Sequence, residues 1–105
     1  MFKTIKIKCL DHGKVEVINP YVLFDNETIH VKVEYPKSFD SWVKYLDIII
    51  NDQKETVIQQ ALSIDHVLLC SSAGILNLQP YATTEWLDIK WETVQISIKK
   101  SLLPL

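Results

Sequence analysis

The chain has 105 residues and a formal net charge of -2, which suits one domain with one continuous core. Its 48% hydrophobic and 23% charged residues and its two glycines are typical of an ordinary folded protein. All the basic residues are lysines, spread among thirteen acidic ones. Because phosphate and base recognition depend on arginine forks and clustered positive charge, we expect no nucleic-acid partner.

We expect no membrane insertion and no signal peptide. The sequence has no run of about eighteen apolar residues, which a membrane span requires. Residues 1–8 alternate apolar and charged side chains where a signal peptide needs a continuous apolar segment.

Alternating polarity predicts strands in the first third of the chain. In residues 4–9 apolar side chains alternate with threonine and lysine, as in a half-buried strand. Asp11-His12-Gly13 has turn chemistry, and the alternation resumes in residues 14–17, which predicts a β-hairpin. Residues 29–35 give the clearest strand, and Pro36 ends it because proline cannot donate to a ladder.

The centre of the chain, residues 39–62, fits two structures. Its apolar residues lie at helical spacing, but Trp42, Leu46, Ile48 and Ile50 also fit a strand. The triple isoleucine of residues 48–50 favours a strand, because β-branched residues lose rotamer freedom in helices. Residues 55–62 are equally compatible with a strand and with a short helix.

Two apolar runs, Val67–Cys70 and Ile75–Leu78, flank Ser71–Gly74 and predict a second hairpin, which we expect Pro80 to close. Farther on, the apolar parity of residues 87–91 is opposite to that of residues 94–98. A strand cannot change its buried face without an interruption, so we expect a bulge or chain break at Glu92-Thr93.

These segments predict an all-β fold, a β-sandwich or barrel of seven or eight short strands in a single domain spanning residues 1–105. The alternative is an α+β fold in which residues 39–62 form helices on one antiparallel sheet.

The sequence contains no pattern that indicates catalysis, so we expect no enzyme, no catalytic residues, no cofactor and no metal. His12, His30 and His66 lie in different elements without paired spacing. Ser71–Gly74 lacks the first glycine of a nucleophile elbow, and a mechanism using His66 with Cys70 or Ser72 is the least favoured hypothesis. For Cys9 and Cys70, buried free thiols are favoured over a disulfide.

The aromatic residues provide the candidate interaction site. We expect Trp42 and Trp91 in the core, and Trp86 on the surface because it shares parity with Asp88 and Lys90. Tyr81 and Trp86 flank one loop, and together they would form an apolar surface patch for a protein or a glycan.

The segments Gly74–Ala82 (GILNLQPYA), Lys90–Ile98 (KWETVQISI) and Lys100–Leu102 (KSL) resemble the closing hairpin of small β-sandwich proteins from tailed phages and prophages of Gram-positive bacteria. The resemblance covers about the last third of the chain.

The resemblance implies an immunoglobulin-like fold and a non-enzymatic structural role in a virion, at the tail, baseplate or capsid surface. Its partners would be other virion proteins or further copies of the chain, as a homo-oligomer. Its location would be the virion, or the host cytoplasm before assembly. A glycan-binding β-sandwich module is the alternative function.

Overall fold

The structure, a computed structural model, describes residues 2–18 and 22–101. Asn19-Pro20 and Tyr21, where the sequence predicts an interruption and the start of a short apolar run, lie outside these residues. The described part contains ten strands. In chain order they are β1 (Lys3–Cys9), β2 (Val15–Ile18), β3 (Leu23–Phe24), β4 (Thr28–Glu34), β5 (Val43–Ile50), β6 (Gln53–Gln59), β7 (Ser63–Leu69), β8 (Gly74–Thr83), β9 (Asp88–Lys90) and β10 (Val94–Lys99).

The strands form two packed sheets, which confirms the predicted all-β sandwich. The first sheet has the order β2-β1-β4-β7 and the second the order β3-β10-β8-β5-β6, with β9 paired to β8. The α+β alternative is wrong, because residues 39–62 contain β5 and β6, preceded by a single 3₁₀ turn at Lys37–Phe39. The predicted seven or eight strands were too few; the described part has ten, of which β3 has two residues and β9 three.

Strands β1, β4 and β7 of the first sheet face β10, β8, β5 and β6 of the second. Near the start of the chain two pairs are parallel, β1 with β4 and β3 with β10. The N-terminal third therefore adds strands to both sheets.

The core lies between the two sheets and contains the side chains that alternation places inward. On β5 these are Leu46, Ile48 and Ile50, while Tyr45 and Asp47 point outward. Each apolar side chain buried in this way contributes about 1.5–3 kcal/mol. Trp91 is 3% exposed and half-buried Trp42 packs against the core, so both predicted core tryptophans are confirmed.

The predicted hairpin of residues 67–78 is wrong. β7 pairs with β4 in the first sheet, whereas β8 pairs with β5, β9 and β10 in the second, so residues 70–73 cross between the sheets. Both arms have the composition of strands, but local sequence does not specify the partner of a strand.

Pro80 does not close this unit, because β8 continues to Thr83. The Pro80 carbonyl accepts a hydrogen bond from the Trp91 N–H at 3.0 Å, on the side where the partner of β8 changes from β10 to β9. The nitrogen of Pro80 lies on this same side of β8, so the N–H that proline lacks would not have bonded to β5. No hydrogen bond between β8 and β5 is lost. The predicted break at Glu92-Thr93 is confirmed, since residues 91–93 separate β9 from β10.

No helix in the described ranges has the length and apolar character that crossing a bilayer requires.

Candidate functional site

Trp86 lies at the tip of the β8–β9 hairpin and is 86% exposed, which confirms its predicted exposure; the adjacent Leu87 is 59% exposed. The Thr84 hydroxyl accepts hydrogen bonds from the N–H groups of Trp86 (3.2 Å) and Leu87 (3.1 Å). The Thr84 N–H donates to the Leu87 carbonyl at 2.9 Å. These bonds satisfy the turn backbone, so an ordered loop presents the two apolar side chains.

Tyr81 lies on the outer face of the second sheet, between two neighbouring strands. Its ring stacks on that of Tyr45, with centroids 4.7 Å apart and planes 2° from parallel. The ammonium of Lys90, its partner on β9, lies 5.8 Å from the ring centroid. The Tyr81 hydroxyl donates to Asp47 Oδ1 at 3.3 Å. Partial burial, followed by the Asp47 charge, raises the pKa of Tyr81.

Tyr81 and Trp86 therefore lie on one hairpin in different environments. The Tyr81 ring stacks on Tyr45 of β5, and the Lys90 ammonium of β9 lies over the same ring. Groups of the protein itself therefore occupy the ring of Tyr81. In the described part of the chain, the Trp86 ring has no such stacking partner. The contact between Tyr45 and Tyr81 was not predicted from the sequence, because it depends on the β5–β8 register.

A cleft of about 420 Å³ opens at one end of the sandwich, beside the base of this hairpin. One wall is the turn between β1 and β2, Asp11–Gly13, and the other is β9. The floor consists of apolar side chains: Leu10, Phe39, Ile89 and Trp91. Exposed polar residues line the rim of the cleft: Asp11 and His12 in the turn, and Asp88 and Lys90 on β9. The β8–β9 register places the side chains of Asp88 and Lys90 on the outer face with Tyr81, so β9 presents Ile89 to the cleft.

Aromatic contacts fix the floor of the cleft. Phe39 meets Trp91 edge to face, with centroids 5.0 Å apart, and meets Trp42 in the same way at 4.7 Å. Tyr35 packs against Trp91 from the core side, with centroids 5.5 Å apart. Such pairs add about 0.5–1.5 kcal/mol each beyond their buried area.

Hydrogen bonds tie the two walls together. The Trp91 indole N–H donates to the Leu10 carbonyl at 2.8 Å, and the Glu92 N–H donates to the Gly13 carbonyl at 2.8 Å. The Glu92 carboxylate accepts from the Val15 N–H at 3.2 Å and lies 3.8 Å from the Lys14 ammonium. The cleft is therefore formed in the folded chain without a ligand.

His30 and His66 are half-buried beside carboxylates. His30 pairs with Asp65, which also lies 4.0 Å from Lys32. His66 points inward on β7, with its Nε2 3.4 Å from Glu55 Oε1. Across residues 2–18 and 22–101, no cluster of three or more histidine, cysteine or acidic side chains is arranged to hold a metal.

Cys9 and Cys70 are buried free thiols, as favoured from the sequence. The pairing of β7 with β4 and of β4 with β1 places Cys70 level with the start of β1, whereas Cys9 is the last residue of β1. Six strand residues separate these levels by about 20 Å, whereas a disulfide requires Cα atoms within about 7 Å. Burial raises the pKa of the Cys9 thiol to about 12 and also raises that of Cys70.

No family model, curated protein or solved structure matches the chain.

Proposed function

We propose that this chain is a non-enzymatic structural or protein-interaction module that binds a partner protein through Trp86 and Leu87. We further propose that the partner is a virion protein, or a second copy of the chain, at the tail, baseplate or capsid surface of a phage or prophage particle.

The 86% exposure of Trp86 on an ordered turn carries the proposal. Tryptophan is highly buried on average, and it is the residue type most enriched among interface hot spots. Two exposed apolar neighbours at a hairpin tip form a projecting anchor that fits a pocket on a partner. Truncating such an anchor costs about 2–4 kcal/mol of binding free energy.

The virion assignment is supported by the resemblance of Gly74–Ala82 and Lys90–Ile98 to phage sandwich proteins. These segments coincide with most of β8, the end of β9 and most of β10, which frame the hairpin that carries Trp86. Trp86 itself lies between the two segments, so the resemblance supports the sandwich frame of the anchor and not the anchor residues.

The non-enzymatic part is supported by the state of the candidate catalytic groups. Both thiols are buried with raised pKa values, so they are weak nucleophiles near neutral pH. His66, the candidate base, is engaged by Glu55.

A photo-crosslinking amino acid at position 86, in the cells that encode the chain, tests the proposal. Position 62 is the matched control, because Leu62 is 64% exposed and lies outside the hairpin. We expect purified particles to contain the chain, and position 86 to crosslink to one particle protein or to a second copy. Absence of the chain from particles would refute the virion assignment, and equal crosslinking at positions 86 and 62 would refute the anchor.

A further inference from the structure

We propose that copies of this chain join head to tail, with Trp86 of one copy packed on the outer face of the second sheet of the next. The receiving surface consists of Val22, Ile75, Ser97 and Lys99, and is called the acceptor patch below. This inference rests on the proposed function, since it names a second copy as the partner of the Trp86 anchor and assigns the surface that this anchor contacts.

Strand register brings the acceptor patch together. Ser97 of β10 lies opposite Ile75 of β8. On the other side of β10, Ile98 is level with Leu23 of β3, so the same parallel register places Val22 beside Ser97. Leu23 and Ile98 are buried, and alternation therefore turns Val22 and Ser97 to the outer face. Val22 is 52% exposed and Ile75 is 46% exposed.

The acceptor patch has the shape of a shallow saddle. The small side chain of Ser97 lies between two larger apolar side chains, Val22 and Ile75, on the neighbouring strands. Two strand spacings separate these apolar side chains by about 10 Å. An indole ring can lie over the serine in this space and contact the apolar side chain on either side.

The charges of the two surfaces are complementary. The hairpin tip carries the exposed carboxylates of Glu85 and Asp88 on either side of Trp86 and its neighbour. The acceptor patch carries the exposed ammonium of Lys99, and that of Lys100 follows in the chain. Within residues 2–18 and 22–101 neither lysine forms an ion pair. An acidic tip and a basic patch attract each other and fix the orientation of the contact.

The acidic side chains beside the acceptor patch are already engaged. Glu27 lies 3.0 Å from the Lys3 ammonium and also accepts from the Phe24 N–H. Asp25 accepts from the Ser101 N–H at 2.6 Å. These contacts leave the two lysines after β10 as the charges that this end of the sandwich offers to the carboxylates of another copy.

The tip and the acceptor patch lie at opposite ends of the sandwich. β8 runs from Gly74, beside the patch, to Thr83, where the turn that carries Trp86 begins. The rise along a strand places Ile75 and Thr83 about 26 Å apart. Trp86 therefore cannot reach the patch of its own chain. A contact between two different surfaces is heterologous, so its repetition closes a ring or extends a filament.

Photo-crosslinking of the purified chain, with the crosslinking amino acid at position 86, tests where the anchor binds. We expect oligomers larger than a dimer on a denaturing gel, and mass spectrometry to place the crosslinks next to Val22, Ile75 and Ser97 of another copy. Position 62 is the control and should give no such ladder. Crosslinks elsewhere on the second copy, or no crosslinks between copies, would overturn the inference.

The in-cell crosslinking described above separates this inference from the proposed function. Crosslinking of position 86 only to a different particle protein would overturn head-to-tail joining and leave the anchor standing. Equal crosslinking at positions 86 and 62 would overturn the anchor itself.

Exchange of charge tests the complementarity. A tip variant carries Glu85→Lys and Asp88→Lys, and a patch variant carries Lys99→Glu and Lys100→Glu. Each variant has like charges on both surfaces, so we expect analytical ultracentrifugation at low salt to show self-association weakened by about tenfold or more. An equimolar mixture has opposite charges at every contact between unlike copies and should associate again.

Lys8→Glu is the matched control, because Lys8 is an exposed lysine of β1 in the other sheet. We expect it to change self-association by less than about twofold. Failure of the mixture to associate would overturn the inference, as would an equal loss in the control. Restored association also shows that both variants are folded.

Discussion

Gly74→Ala should be among the most damaging single-methyl additions, because two structural features oppose it. Gly74 begins β8 with a φ of 141°, which a residue with a Cβ rarely adopts. A Cβ built there lies 2.0 Å from Asn51 Oδ1, well inside contact distance. The Asn51 side chain would have to leave its position.

That displacement has a calculable cost. Asn51 Nδ2 donates to Ser72 Oγ and to the Ala73 carbonyl, both at 3.1 Å, and its Oδ1 accepts from the Ile75 N–H at 3.3 Å. These exposed bonds together are worth about 1–2 kcal/mol. Backbone strain adds about 1–2 kcal/mol. We expect Gly74→Ala to lower the free energy of unfolding by about 3 kcal/mol.

A double-mutant cycle separates the two costs. Asn51→Gly removes the side chain and tolerates the Asn51 φ of 53°, so alone it should cost about 1–2 kcal/mol. Adding Asn51→Gly to Gly74→Ala should cost little more than Gly74→Ala alone, because the same bonds are already broken. Urea unfolding monitored by tryptophan fluorescence measures all four proteins. Strictly additive costs would show that the Asn51 contact is not the cause.

Three further perturbations test the core and its buried ionisable groups. Lys44 is fully buried, and within residues 2–18 and 22–101 its ammonium donates to the carbonyls of Asp40 and Trp42 alone, at 3.0 and 2.9 Å. Burial lowers the pKa of Lys44 below 10.5. Between the lowered pKa and 10.5 the unfolded chain therefore binds more protons than the folded one, and the free energy of unfolding should rise with pH in wild type relative to Lys44→Met. Urea unfolding at a series of pH values measures this difference. A parallel pH dependence in both proteins would contradict this. Cys9 and Cys70 should react with a disulfide reagent at pH 8 only as fast as the protein unfolds. Rapid labelling of both thiols in native buffer would disprove their burial. Leu78→Ala, at a fully buried position of β8, should cost about 2–5 kcal/mol in urea unfolding; a cost below about 1 kcal/mol would be inconsistent with a packed site.

Features that depend on neighbouring residues could be predicted from the sequence. The β1–β2 hairpin follows from alternation on either side of Asp11–Gly13, and the break before β10 follows from the change of apolar parity at Glu92-Thr93. The exposure of Trp86 follows in the same way from its parity with Asp88. Each of these depends only on the geometry of a single strand or turn.

Features that depend on strand partners could not be predicted. β7 and β8 look like the arms of a hairpin, but β7 pairs with β4 in the first sheet and β8 pairs with β5 in the second. The Tyr45–Tyr81 stack requires the β5–β8 register. The cleft combines Leu10, Phe39 and Trp91, three segments that are distant in sequence, and no local pattern links them.

The cleft has a consequence for how folding and binding are connected. Each wall comes from a local hairpin, β1–β2 or β8–β9, that pairs within itself. The hairpins belong to different sheets and meet only when the sandwich closes, so a partly folded chain presents neither a floor nor a complete rim. A molecule that bound this cleft would bind the closed state alone, and at about one hundred times its dissociation constant it would add about 2.7 kcal/mol to the stability of the whole domain.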